Sequence, residues 1–217
     1  YFMTSDYRVY KVLFNNAGAV MTGSEPTSTA SAPFWSGGYY LQYMYTITSS
    51  EVNKFLTTDF IPVSTDSTVS AAGTDGAIDA VITTAGSGYT DGTYYCPVFG
   101  DGTSQGTSSG AIIKLIVTSG SIVAFGETDG TNTTMYAVGA GYTYGTVNLT
   151  TDVYTDTSLS SAANTTGTIG GGSSGAVTVQ ISPKGGHGYN AVKELGGHYV
   201  MMNTTLTEAE GDDVSTA

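Results

Sequence analysis

Basic side chains are scarce in this chain. Its 217 residues include 6 Lys and Arg against 18 Asp and Glu, a formal net charge of −12. A nucleic-acid binder displaces counterions from phosphates with basic groups, and too few are available here. An anionic membrane surface would repel the chain for the same reason. Cysteine is reduced to Cys96, so no disulfide can form within the chain. No uncharged apolar run reaches the roughly 18–20 residues that span a bilayer. The opening Tyr1-Phe2-Met3 carries no basic-then-apolar leader, so no signal peptide is expected. An opening without an initiator methionine suggests a processed or partial chain. Charged residues of both signs make up only 11%, which argues against a solvated, disordered polymer.

What is abundant points to strands and turns. Hydrophobic residues reach 40%, with 16 Tyr and 7 Phe, beside 30 Gly, 23 Ser and 36 Thr. β-branched Thr and Val, many aromatics and frequent Gly predict a mainly β fold rich in turns. The length suits one large domain or two small ones.

Residues 1–66 are the least Gly-rich. Tyr7–Phe14 reads as a strand, residues 15–38 as loop, and Tyr39–Ile47 as a second strand, apolar on both faces. Thr48 and Glu51 fit a capping box, and Val52, Phe55 and Leu56 give a helical stripe behind it. Phe60-Ile61-Pro62-Val63 is an extended stretch suited to an edge. After residue 181 this character returns. Ile181 to Asn190 is a Gly-rich loop, Asn190 caps a short helix over 191–195 with Gly196 at its C′ position, and His198–Thr204 reads as a strand. The acidic tail from Glu208 is expected to fray.

Between 67 and 180 Lys114 is the only basic residue, and short apolar runs alternate with Asp-Gly pairs at 75–76, 91–92, 101–102 and 129–130. Asp-Gly supplies the positive φ of a type I′ hairpin turn, so these pairs predict short antiparallel hairpins. The segment also repeats. Gly76–Ser87 matches Gly110–Ser121 at seven of twelve positions, and Gly86–Thr93 matches Gly139–Thr146 at six of eight. Ser108-Ser109-Gly110-Ala111 recurs as Ser173-Ser174-Gly175-Ala176. Two pseudo-repeated units, about 76–118 and 120–182, are expected to pack as an antiparallel sandwich or barrel-like module.

Little in the sequence carries chemistry. His187 and His198 lack the convergent partners of a metal site, so a loop hydrogen bond and a strand-end packing role are expected for them. Gly186-x-Gly188-x-x-Ala191 fits a dinucleotide fingerprint in form only, because its helix is too short and no acidic partner strand follows. Lys184 precedes the glycines, where a phosphate-binding loop has its Lys after them. Ten carboxylates lie between residues 59 and 156, mostly in Asp-Gly turns or beside Gly and Thr, where they stay solvated. Neither an EF-hand nor a calcium nonapeptide is present. No catalytic constellation passes inspection, so no enzyme, cofactor or metal is expected. Tyr39, Tyr40, Tyr43, Met44 and Tyr45 fit either a sheet core or a subunit interface, where Tyr and Met are enriched.

Several separated stretches resemble one family. Tyr1–Lys11, then Asn15-Asn16-x-Gly18-x-Val20, Gly37-Gly38-Tyr39-x-x-x-Tyr43-Met44-Tyr45-Thr46-Ile47 and Lys54–Val63 are similar to the baseplate wedge subunit of T-even-like contractile-tailed bacteriophages, particularly its marine cyanophage-type members. Ile181–Ala191 and Glu194–Met201 resume the likeness. It implies a discontinuous wedge-type β domain of 1–66 and 181–217 with two short helices, interrupted by an inserted Gly/Thr-rich β module of 67–180. It also implies a non-catalytic virion protein of the tail baseplate, assembled in the bacterial cytoplasm. Expected partners are other wedge proteins and a second copy in a homodimer, with no nucleic acid and no membrane. Tyr39, Tyr40, Tyr43, Met44, Tyr45, His187 and Tyr189 are the candidate interface residues. Family members continue before the position of Tyr1 and after that of Thr205. The alternative is a glycan-binding surface module, with Tyr89, Asp91, Tyr94, Tyr142 and Tyr144 presented at loop tips.

Overall fold

A computed structural model describes residues 1–107, 109–127, 130–161 and 169–205. The acidic tail from Glu208, Ser108 of the first Ser-Ser-Gly-Ala run and Asp129 of the fourth Asp-Gly pair lie outside the described residues. The fold is mainly β, with antiparallel sheets and three α-helices among the described residues. Its sheets do not close into a barrel.

The first sheet holds β1 (Phe2–Met3), β2 (Arg8–Phe14), β3 (Phe34–Ser36) and β4 (Tyr39–Thr46), in the order β1-β2-β4-β3. Both of its faces are covered, which explains the continuous apolar run of β4. Val9, Met44, Tyr45, Ile47 and Leu195 form one buried cluster, and Tyr10, Leu41, Tyr43 and Val69 form another. Burying a Tyr ring stabilises the core, but the hydroxyl then needs a partner. Tyr10 donates to the carbonyls of Pro26 and Ser28, and Tyr45 to that of Pro62. These bonds pin the loops of 15–33 and 57–63 to the sheet. Gln42 is buried too, and its amide donates to Ser31 and Tyr43 carbonyls.

Helix α1 (Ser49–Phe55) starts at the expected capping box, with Thr48 and Glu51 satisfying each other's backbone amides. A second helix, α2 (Ser67–Ala72), was not expected from the sequence. Asp66 caps it by accepting from the amides of Thr68 and Val69, and the buried Val69 fixes it to the first sheet. At six residues it is too short to display a helical period.

The middle segment contributes β5 (Ile78–Thr84), β6 (Gly92–Pro97), β7 (Phe99–Gly100), β8 (Ile112–Thr118), β9 (Ser121–Ile122), β10 (Thr134–Ala137), β11 (Gly145–Thr146) and β12 (Ala176–Ile181). Strands β10, β8 and β6 form one sheet with β9 on β8, while β5 pairs with β12 and β7 with β11. Helix α3 (Ala191–Glu194) follows, capped by the Asn190 side chain, with Gly196 at φ +71° beyond its end.

The repeated stretches occupy corresponding places. Gly86 and Gly88 have φ of +60° and +78°; Gly139 and Gly141 have +60° and +76°. Aligned on these turns, β5 corresponds to β10, and β8 and β12 each follow a Ser-Ser-Gly-Ala run. The ladders then exchange: β5 pairs with β12 and β10 with β8. The tyrosines exchange likewise. Tyr89 Oη accepts from Gly175 N at 2.9 Å, and Tyr142 Oη from Ala111 N at 3.2 Å.

Three expectations need correction. Phe34–Ser36, within the stretch expected to be loop, is β3, because its aromatic pair lies against Leu41 and Tyr40 of β4. Residues 198–204 form no strand; they run without a ladder partner and expose Tyr199, Val200 and Met202. The Asp-Gly pairs at 91–92 and 101–102 are not hairpin turns, because neither Gly92 nor Gly102 has positive φ. The type I′ geometry falls instead on Ser119-Gly120 (φ +53° and +73°), joining β8 to β9. The Asp carboxylates brace other turns: Asp91 accepts from the amides of Ser119 and Gly120, and Asp101 from Thr143. Gly76, after Asp75, does take φ +59° in a turn.

Candidate functional site: a buried charge cluster and an exposed apolar trough

The candidate interface residues divide by burial. Tyr43, Met44 and Tyr45 are core residues of this chain and offer no surface to a partner. Tyr40 is partly buried with Phe14, Trp35 and Phe125, joining the first sheet to the core of the middle segment. Tyr39 is partly exposed and donates to the Ala19 carbonyl. Tyr189 alone is broadly exposed, at 66%. His187 is 6% exposed and therefore also interior.

The glycan-contact candidates are mostly structural. Tyr89, Tyr94 and Tyr142 are buried. A methyl group added at Gly172 would collide with the Tyr89 ring, and one at Gly102 with Tyr142, so each ring lies in a glycine-floored slot. Asp91 is committed to its turn. Tyr144, at 59% exposure, is the one ring left at the surface.

His187 is the centre of a group that sequence spacing did not reveal. Its Nε2 lies 3.0 Å from Asp79 Oδ2 on β5, and its Nδ1 2.5 Å from Glu194 Oε1 on α3. Glu194 Oε1 also accepts from Lys11 Nζ of β2 at 2.9 Å, and Oε2 from Gly188 N at 2.9 Å. A carboxylate only accepts, so both ring nitrogens must donate, and the ring is an imidazolium. Burial pulls the His187 pKa down, but hydrogen bonds and charge from Asp79 and Glu194 outweigh it, and the net direction is up. For Glu194 burial pushes up, and the bonds from His187, Lys11 and Gly188 N–H bring it down to about 2. With Lys11 the cluster is neutral overall, two cations against two carboxylates.

This arrangement suits structure better than catalysis. A general base needs a free ring nitrogen, and both are occupied. Among the described residues no group of three or more His, Cys, Asp and Glu is arranged to hold a metal ion. Cys96 is fully buried, and burial followed by the charge of Asp152 raises its thiol to about 12, so it is no nucleophile at neutral pH.

The chain that leaves α3 next to Glu194 forms one side of a surface feature. A trough of about 450 Å³ runs between α1 with residues 59–63 on one side and residues 192–201 on the other. Phe55, Phe60, Ile61, Leu195, Tyr199 and Met201 are among its lining, and its carboxylates are Glu51 and Asp59. No Lys or Arg lines it among the described residues. Tyr199, Val200 and Met202 are exposed by 78%, 92% and 88%, and Tyr1, Phe60 and Val192 add to the same side. The apolar composition of 198–204 points to a strand and so conceals this face, which the run leaves open. The signal was present as a hydrophobic run without a turn and partner strand after it.

No protein-family model matches this chain, and no curated protein or solved structure matches it either.

Proposed function

We propose that this chain is a structural subunit of a phage virion, a baseplate wedge component of a contractile tail, and that it works through protein–protein contact. The observation that carries this reading is the exposed apolar trough and the strip of Tyr199, Val200 and Met202 beside it. Contiguous apolar surface of this kind marks a docking site. The stretches resembling wedge subunits, 1–63 and 181–201, supply both walls of the trough. The middle segment of 67–180 is then an insertion that leaves this face clear.

The occupant is a segment of a neighbouring wedge protein that presents bulky apolar side chains flanked by Lys or Arg. Glu51 and Asp59 line the trough, and the chain carries −12 overall, so a basic partner is favoured and an acidic one repelled. Homodimer formation belongs to the same reading, with the trough left for the second kind of subunit. On this view the protein is not an enzyme, needs no cofactor, touches neither nucleic acid nor membrane, and resides in the tail baseplate after assembly in the bacterial cytoplasm.

The test is incorporation into tail particles assembled with the full chain. A Phe60→Asp, Tyr199→Asp double variant should fold normally by circular dichroism, because the side chains are 45% and 78% exposed and their rings pack on each other rather than in the core, and should drop out of purified particles at least tenfold. Wild-type incorporation of that variant, or a wild-type chain that never joins particles, would overturn the proposal.

A further inference from the structure

We propose that the His187 cluster is a proton-dependent latch that holds one wall of the trough in place and releases it when the imidazolium loses its proton. The inference concerns the trough of the proposed function, but it stands on covalent connectivity and hydrogen bonding within the chain.

The two walls are attached differently. Residues 59–63 are tied to the first sheet by the Tyr45 bond to Pro62, which does not titrate near neutrality. The other wall, 192–201, extends from α3. Among the described residues, every side-chain hydrogen bond from 187–201 to a distant part of the chain passes through this cluster: His187 to Asp79, and Glu194 to Lys11. Leu195, packed with Val9, Met44 and Tyr45, and Tyr199, whose ring meets that of Phe60 edge-on at 5.3 Å, add apolar anchors that do not titrate near neutrality. The backbone bonds of 189–197 are local and cannot hold the segment to the body.

The groups facing the ring from each neighbouring element are Asp79 on β5, Glu194 on α3 and Lys11 on β2, with Tyr40 of β4 close enough to Asp79 to feel its charge. Neutral imidazole has one N–H for two carboxylates. Deprotonation therefore removes one of the two His187 bonds: with the N–H kept on Asp79, a bare ring nitrogen faces Glu194 Oε1, which retains only Lys11 and the Gly188 N–H beside it, and the cluster changes from neutral to −1. Undocking 187–201 restores water to that carboxylate, so the two events are linked. The sign follows from the elevated pKa of His187. The latch contributes fully below the ordinary histidine value of about 6.5 and is lost as pH rises through the folded-state value. On the acid side Glu194 keeps its charge until about pH 2.

Hydrogen exchange of the free full-length chain, corrected for intrinsic rates, tests this beside an NMR titration of the His187 ring. Protection over 187–201 should fall by up to about tenfold per pH unit from about 6.5 to the measured His187 midpoint, then level off, while β8 stays protected. The variant His187→Gln should lower protection at pH 6 and flatten the slope. Protection of 187–201 that ignores the His187 midpoint in the wild-type chain would overturn the latch. So would loss of protection simultaneous with that of β8. No partner is present in this measurement, so its failure is separate from failure of the particle assay.

Discussion

Tyr10 and Tyr45 of the first sheet and Tyr89 and Tyr142 of the middle segment are buried alike, but only the second pair accepts from backbone amides. Tyr10 and Tyr45 donate, each to a loop carbonyl, and so pin long irregular connections onto a sheet. Tyr89 and Tyr142 accept, each from a backbone amide of the opposite repeat unit, and Tyr142 also donates to the Val98 carbonyl. The first arrangement tolerates many loop sequences, because any residue offers a carbonyl. The second requires a close backbone approach, and glycine supplies it at Gly172, Gly175, Gly102 and Gly139. The charge distribution divides in the same way. The ion pairs among the described residues are Arg8–Asp6, Lys11–Glu194 and the two carboxylate contacts of His187, and only Asp79 comes from the middle segment. The flanks are joined to the middle by charge and by the aromatic contact of Phe14, Trp35 and Tyr40 with Phe125. Within itself the middle relies on turn geometry.

The strongest way to break this contrast is Glu194→Ala. It removes the acceptor of two cations, leaving His187 with Asp79 alone and Lys11 without its ion-pair partner. Breaking a buried pair from one side costs about 3–5 kcal/mol, and urea unfolding should report a loss of that order. The loss should be concentrated in the flanks: exchange should accelerate in 187–201 and β2 before β8. Uniform acceleration would mean that the flank and middle do not differ as described.

Next in size is Gly86→Ala. Its φ of +60° disfavours a side chain, and a methyl there meets the backbone of Ser173 and Gly175. Left-handed strain and overpacking each contribute about 1–3 kcal/mol, so a total near 3 kcal/mol is expected. Gly139→Ala, its counterpart, should lose a similar amount against Ala111. A large inequality between the two would show that the repeat units are not mechanically equivalent.

Much of the fold was legible because the physics is local. The strands β2, β4, β5 and β8 announced themselves by β-branched and aromatic runs, and α1 and α3 by Thr48, Glu51 and Asn190 at their caps. The Gly-x-Gly-Tyr-Thr repetition foretold turns of equal φ. Helix α2 escaped because Asp66 heads only six residues with one apolar contact, Val69. The Asp-Gly pairs misled because an Asp carboxylate can brace a turn distant in sequence, as Asp91 does at Ser119-Gly120. The charge cluster was invisible for a different reason: Lys11, Asp79 and His187 are brought together by sheet packing over 108 and more positions, and no spacing rule reaches that far. The run of β4 fits a sheet core and an interface equally, because a strand buried on both faces has the same composition as one buried against a partner.

The smallest effect is also the most direct test of the tyrosine contrast. Tyr89→Phe removes an acceptor and leaves the Gly175 N–H unpaired in a part-buried place, where an orphaned backbone donor costs about 1–3 kcal/mol. Tyr45→Phe removes a donor from the Pro62 carbonyl in an equally part-buried place. That carbonyl lies in a loop that can turn toward water, so about 1 kcal/mol or less is expected. The ring remains in both variants, so packing is held constant and only the hydroxyl is read. Equal losses in denaturant unfolding would mean that the loop at Pro62 is as rigidly held as the exchanged strands. A larger loss for Tyr89→Phe, with exchange raised at Gly175 and the start of β12, would show that the hydroxyl acts as a rung of the ladder between the repeat units.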